Sequence, residues 1–397
     1  MSKEHDTNGP ERVPAATPAA AQSASTWEAF LDWPFAAAAL LGQANMRLFE
    51  DLMSSGRRSA ASRSSLPWTT ANTIALELAS MRLRDFSTGS NGPAALICAP
   101  YALHRATIAD FAPGHSVVEA LCHGGLSRVF VTDWRSATPE TRYFTIDTYL
   151  ADLNVAVDQL GPPVDLIGLC QGGWLALVYA ARFPRKVRRV VLVGAPIDIA
   201  AAESQLSHFA VSMPLGMFDE LVRLGEGIVP GERLLGLWGI STSLNEVEAV
   251  LQIPPDLKPA WRHELNERFR QWYAETLDLP GAFYLQVVKW LFKENQIAQG
   301  QFLALGQSIE LAQLRAPICL LAASNDEVVA VDQLFAMARL VGTPAEQVVT
   351  MIEPCGHLSL FLGAEVLDGA WRRIAAWLGH QLKTSQIQQV QLRRRHE

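Results

Sequence analysis

The chain has 397 residues with 33 Lys and Arg against 40 Asp and Glu, a net charge of -7, and 49% hydrophobic and 18% charged residues. That balance describes a soluble globular protein able to bury a sizeable core and excludes any general attraction for nucleic acid. The five cysteines, Cys98, Cys122, Cys170, Cys319 and Cys355, are odd in number and scattered without a C-x-x-C pair. They imply no zinc site and no redox loop, and fit free thiols in a reducing cytosol.

Residues 1–25 lack a basic start and an apolar core before a cleavage site, so they read as a disordered leader rather than a secretory signal. In 27–53 (WEAFLDWPFAAAALLGQANMRLFEDLM), Trp, Phe and Leu form an amphipathic face broken at Pro34. This predicts a helix packed on the domain or a partner, with adsorption to a hydrophobic surface as the alternative. A Ser/Arg-rich linker follows at 54–65. No run of 18 apolar residues occurs, so no membrane-spanning helix is expected.

From there apolar runs alternate with helical stretches, the pattern of βαβ units and a mostly parallel sheet. Strands are predicted at 94–99 (AALICA), 128–132 (RVFVT), 164–167 (VDLI), 187–193 (VRRVVLV), 318–322 (ICLLA) and 347–352 (QVVTMI). Helices are predicted at 146–160, 173–183, 331–341 and 364–382. More than a hundred residues separate Val193 from Ile318, too many for an ordinary crossover. That stretch reads as a helical cap with breaks at Pro214, Gly231, Pro254-Pro255 and Pro280-Gly281. The expected organisation is leader and amphipathic segment 1–65, core 66–198, cap 199–306, core 307–382 and a polar Gln/Arg-rich tail 383–397.

The chemistry concentrates at 164–174 (VDLIGLCQGGW), where Cys170 stands in Gly-x-Cys-x-Gly between a β-branched strand and an Ala-rich helical run. In a strand-turn-helix elbow the nucleophile adopts a strained backbone and needs small residues two before and two after it, here Gly168 and Gly172. An arbitrary cysteine is most often a small buried hydrophobe; this setting argues for a nucleophile. The helix N-terminus behind Cys170 favours thiolate, and the Gln171 N–H is placed to stabilise an oxyanion.

A thiol nucleophile needs a base and a group that orients the base. In the α/β-hydrolase order the acid follows the nucleophile and histidine comes last. Asp326 follows ICLLAAS in the turn SNDE, and His357 follows VVTMIE in the turn PCGH, both at carboxyl ends of successive strands. Alone, Asp326 reads as a helix cap and His357 as a loop residue; order and strand end together join them to Cys170. The second oxyanion donor is expected from the backbone of Tyr101 or Ala102. Asp133-Trp134-Arg135 reads as structural, a carboxylate–arginine contact and a buried indole at a strand end. His104 and His115 lie near the site in ordinary loop roles, and His208 and His263 of the cap carry no signal.

With these residues in place, the stretch from about 94 to 378 resembles the polyhydroxyalkanoate synthase family, especially its short forms that work with a second subunit. The matching pieces include PYALHRATIADFAPGHSVVEAL, VFVTDWR, LIGLCQGGW, DLPGAFYLQVVKWLFKEN, SNDEVVA and CGHLSLFLG. The resemblance implies an α/β-hydrolase fold with a helical cap, a 3-hydroxyacyl chain carried on Cys170 as a thioester, and 3-hydroxyacyl-CoA as substrate. His357 would activate the thiol and Asp326 would assist the incoming hydroxyl. No separate cofactor or metal is implied; a second synthase subunit or a granule surface is, and homodimerisation stays open. Synthases commonly place His after this Asp, where the chain has Glu327. Intracellular polyhydroxyalkanoate depolymerases are similar too, but commonly have Pro after Cys-Gln, where this chain has Gly172-Gly173. Two alternatives therefore stand beside synthesis: a Cys-dependent hydrolase and a non-catalytic granule-associated protein.

Overall fold

The structure, a computed structural model, describes residues 66–238 and 244–379. The leader, the amphipathic segment 27–53, the linker 54–65 and the tail 383–397 lie outside the described residues.

Eight strands form the main sheet: β1 (Thr73–Glu77), β2 (Met81–Asp85), β3 (Ala95–Cys98), β4 (Val129–Trp134), β5 (Val164–Leu169), β6 (Val187–Val193), β7 (Ile318–Ala323) and β8 (Val348–Glu353). Their order is β1-β2-β4-β3-β5-β6-β7-β8, with only β2 antiparallel to its neighbours. Every residue of ALIC, VDLIGL and ICLLAA is buried, because helices cover both faces of a parallel sheet. Those continuous apolar runs are what made the central strands readable.

The hairpin β1–β2 was not expected, since the sheet was read as starting near 94. In MRLRD, Met81 and Leu83 are buried while Arg82 and Arg84 point outward to Glu77 and Asp133. Such a short, charged alternation carries little hydrophobic signal. Helix α1 (Val117–His123) was also missed, although Ser116 caps it by accepting from the Glu119 N–H at 3.0 Å. Helices α2 (Ile146–Leu160) and α3 (Gln171–Arg182) occupy the expected places, α3 starting two residues early. The predicted helix 331–341 is split into Val331–Phe335 and Met337–Leu340. The predicted 364–382 passes through a π-helical turn, Leu367–Trp371, before Arg372–Gly379, where description ends.

Between β6 and β7 lie α4 (Gln205–Ser212), α5 (Leu215–Leu224), α6 (Gly231–Trp238), α7 (Leu244–Leu251), α8 (Pro259–Ala274) and α9 (Gly281–Gln286). Each break read from Pro or Gly falls at a helix end: Pro214 caps α5, Gly231 opens α6, Pro254-Pro255 separates α7 from α8, and Gly281 opens α9.

The β5–α3 turn is pressed against its surroundings. A Cβ on Gly168 would lie 2.4 Å from the Gly173 Cα, one on Gly172 would lie 2.1 Å from the Cys98 carbonyl oxygen, and one on Gly173 would lie 2.3 Å from the Ala195 Cβ. The turn thus meets β3 backbone to backbone and packs against the Ala195 methyl just beyond β6. Gly172→Ala is expected to destabilise the protein by about 1–3 kcal/mol through overpacking. Urea unfolding reads this directly, and an unchanged midpoint would contradict the contact.

Candidate active site

Cys170 has φ 47° and ψ -119°, a left-handed conformation disfavoured for a side-chain-bearing residue and worth about 1–3 kcal/mol of strain. Its N–H donates to the Val193 carbonyl at 2.9 Å and its carbonyl accepts from the Gly173 N–H at 2.8 Å. These bonds and the glycine contacts hold the strain in place and turn the half-buried sulfur toward the sheet's carboxyl edge.

His357 and Asp326 meet there. The Asp326 Oδ2 lies 2.7 Å from His357 Nδ1, while its Oδ1 accepts from the Val328 and Val329 N–H groups, both at 2.8 Å. The helix that follows starts only at Val331 with Ala330 at its N-cap, so Asp326 is no helix cap: one oxygen closes the turn 326–329 and the other pairs with His357. With Nδ1 engaged, Nε2 is the ring nitrogen left for Cys170, whose sulfur favours the charged imidazole. Burial alone would lower the imidazole's proton affinity. The Asp326 carboxylate and Cys170 sulfur, with their hydrogen bonds, outweigh it and raise His357 from 6.5 to about 10. Gly194, absent from the sequence reading, sits behind this ring: at φ +52° its backbone passes so close that a Cβ would be 3.0 Å from His357 Cε1. The available signal was a glycine directly after the apolar run VRRVVLV.

The loop after β3 brings Tyr101 and Ala102 to the same place. Among the described residues, neither the Gln171 nor the Ala102 N–H has a hydrogen-bond acceptor, and both residues line the cavity that contains Cys170. The loop is anchored from β4. The Ala99 N–H donates to Thr132 Oγ1 at 3.0 Å, and the Trp134 indole N–H donates to the Ala99 carbonyl at 2.8 Å. Tyr101 donates to the Arg135 carbonyl at 3.1 Å and accepts from the Tyr149 hydroxyl at 2.9 Å. The Asp133-Trp134-Arg135 strand end is structural, as read, but its carboxylate pairs with Arg84, and its indole holds the candidate oxyanion loop.

The cavity measures about 480 Å³. Cys170, Gln171 and His357 line one part, and Leu206, Phe209, Phe218, Phe283, Tyr284 and Phe292 of the insertion contribute an apolar wall. An apolar chamber of this kind suits an apolar ligand group and disfavours water within it.

A family model described as the alpha/beta hydrolase fold matches residues 127–364, more than half of the chain. The chain belongs to the α/β-hydrolase fold family. Within this fold it is distantly homologous to poly(3-hydroxyalkanoate) polymerases. The polymerase subunit PhaC of Synechocystis sp. is 28% identical over 295 residues, covering 70% of this chain and 76% of the relative. That of Haloferax mediterranei is 25% identical over 295 residues, 72% of this chain but only 58% of its own length. Monoacylglycerol lipase of Paleococcus ferrophilus, a solved structure, matches with a TM-score of 0.51 at 16% identity over 75% of this chain and 98% of its own, a likeness of fold.

The other cysteines of this α/β hydrolase have no comparable partner. Burial pushes the Cys98, Cys319 and Cys355 thiols up to about 12 and Cys122 up to about 11. His115 donates from Nδ1 to the Leu362 carbonyl, 2.7 Å away, a structural tie. Its ring is lowered by burial. His104, by contrast, lines the cavity. Among the described residues no cluster of His, Cys, Asp and Glu is arranged to hold a metal, and no helix is long and apolar enough to cross a membrane.

Folded His357 binds its proton more tightly than the ordinary 6.5 of an unfolded imidazole. The resulting stabilisation is full below about pH 6.5, fades as pH rises, and is lost through about 10. Asp326→Asn, which keeps an acceptor for Val328 and Val329, should lower the His357 midpoint by about 1–3 units in an NMR titration. Its stability loss relative to wild type should shrink as the pH rises across that window; an unchanged midpoint contradicts the electrostatic account. Trp134→Phe should lose about 1 kcal/mol of stability from the missing indole bond. It should lower turnover more than substrate affinity, as steady-state kinetics would show.

Proposed function

We propose that the protein transfers 3-hydroxyacyl groups through a thioester on Cys170. The observation that carries this reading is the continuous line Asp326–His357–Cys170 ending at a strained elbow in an apolar cavity. The substrate class comes from the distant homology to polymerases that act on 3-hydroxyalkanoates.

In the first half-reaction His357 Nε2 holds the proton given up by Cys170, in keeping with the ring's raised proton affinity, while the sulfur attacks the carbonyl carbon of a 3-hydroxyacyl-CoA. The N–H groups of Gln171 and Ala102 stabilise the oxyanion that forms. The bond from carbon to the CoA sulfur breaks, CoA takes the proton from His357, and the acyl group remains on Cys170. In the second half-reaction His357 accepts the proton of an incoming hydroxyl, whose oxygen attacks the thioester and expels the Cys170 sulfur, which is reprotonated. Asp326 remains ionised and acts through His357. With one oxygen on the imidazole and the other on two backbone N–H groups, it is a positioning residue rather than the direct acceptor base that the resemblance implied.

The apolar wall favours a second hydroxyacyl group over water as acceptor, hence ester formation. A second synthase subunit, a granule surface and a homodimer are part of this proposal as partners of the assembled enzyme, in keeping with the subunit character of the relatives.

Exposure to 3-hydroxybutyryl-CoA followed by intact-mass spectrometry should show an acyl adduct on Cys170, with release of free CoA. Cys170→Ala should form none and lose on the order of 10⁴-fold or more in CoA release. Polymer alongside free CoA supports the synthase reading, and free hydroxyacid alone would make the enzyme a hydrolase. Full turnover by Cys170→Ala would exclude the thiol mechanism.

A further inference from the structure

We propose that His104 hydrogen-bonds the 3-hydroxyl of the acyl group held on Cys170, and so selects hydroxyacyl over plain acyl substrates. The inference rests on the acyl-transfer reading of Cys170 and deepens it.

His104 lines the same cavity as Cys170 and His357, in a wall whose nearby members include Leu103, Ile108 and Tyr273. It lies two residues beyond Ala102, a candidate oxyanion donor; two residues of chain span at most about 7 Å. The 3-hydroxyl of a substrate lies two carbons beyond the carbonyl carbon. With the carbonyl oxygen at the Ala102 N–H, the hydroxyl would lie along the stretch of cavity wall to which both Ala102 and His104 belong.

The ring's chemistry suits a neutral partner. Burial lowers His104 from 6.5 to about 4, so it is uncharged at neutral pH. A neutral imidazole donates from one nitrogen and accepts at the other, and a hydroxyl can answer either role. The anionic parts of CoA would instead call for a cation. Nδ1 is buried without a hydrogen bond of its own, and the Glu275 backbone carbonyl neighbours the ring; Nε2 is the nitrogen we assign to the cavity that the ring lines.

The ring is also ordered before any ligand arrives. It packs against Trp272 and Tyr273 with centroids 4.5 and 4.9 Å away. Its backbone bridges to Thr276, and the preceding Leu103 carbonyl accepts from the Leu277 N–H at 2.9 Å. A polar group fixed in an apolar wall discriminates well, because a ligand lacking the matching group leaves it unpaired.

The test compares the rates at which 3-hydroxybutyryl-CoA and butyryl-CoA acylate Cys170, read by rapid quench and intact mass. Wild type should favour the hydroxylated substrate by about tenfold, the value of one well-placed hydrogen bond. His104→Phe keeps an aromatic ring against Trp272 and Tyr273; it should reduce the ratio to below about threefold, chiefly by slowing the hydroxylated substrate. His104→Leu carries the same expectation should the larger ring disturb folding. An unchanged ratio, or an equal slowing of both substrates as a purely structural role requires, would overturn the assignment while leaving the thioester intact. Absence of any adduct from either substrate in wild type would instead overturn the acyl-transfer reading, and this inference with it.

Discussion

The site depends on one backbone conformation. Cys170 is held at φ 47° because the chain must leave β5 and enter α3 within a single residue, and that turn fits only where neighbouring backbones approach without side chains between them. Gly168, Gly172 and Gly173 supply the approach to Gly173 itself, to β3 and to Ala195 just beyond β6. The sheet provides the opposing force: the Val193 carbonyl receives the Cys170 N–H, and the buried apolar strands on both sides fix that carbonyl. Strain of about 1–3 kcal/mol is thus held by a core whose burial far exceeds it. The same conformation keeps the sulfur beside His357.

The same economy of position links the insertion to the chemistry. The loop that presents Ala102 is tied to the insertion by the Leu277–Leu103 hydrogen bond, and the turn that presents Asp326 is tied to α4 by the Gln205 N–H, which donates to the Glu327 carbonyl at 3.0 Å. A side-chain bond from Gln205 Nε2 to Glu327 Oε2 at 3.2 Å adds to the latter. The insertion therefore shares hydrogen bonds with both segments, through the connection after α8 on one side and through α4 on the other. Displacement of the insertion would therefore be felt both at the loop carrying Ala102 and at the turn carrying Asp326.

What was legible in the sequence followed from the strength of the local signal. Central strands buried on both faces read as unbroken apolar runs, and Pro and Gly marked the helix ends of the insertion because each restricts or releases the backbone at that position. Cys170, Asp326 and His357 were found from motif and strand-end order, and the structure brings all three together. The β1–β2 hairpin escaped because its alternation is short and its outward residues are charged. The anchoring role of Trp134 and the placement of Gly194 escaped for another reason: each acts on a residue distant in sequence, Ala99 and His357 respectively. A single sequence records side-chain type, whereas these roles are defined by which carbonyl or ring lies opposite once strands have paired.

A sulfur at this elbow has a consequence of its own for the proposed reaction. Exchange between CoA and Cys170 converts one thioester into another, so the acyl group reaches the enzyme with its reactivity largely retained. A serine in the same position would form an ester, chemically akin to the product of chain growth, and the second transfer would lose its driving force. Cysteine makes sense where the acyl-enzyme must wait for a hydroxyl acceptor, and waiting is tolerable only if water is kept from the carbonyl. The aromatic wall provided by Phe209, Phe218, Phe283 and Phe292 meets that second condition. In the proposed reaction nucleophile and wall are thus complementary: a thioester would preserve the capacity to form an ester, and the apolar chamber would favour a hydroxyacyl oxygen over water.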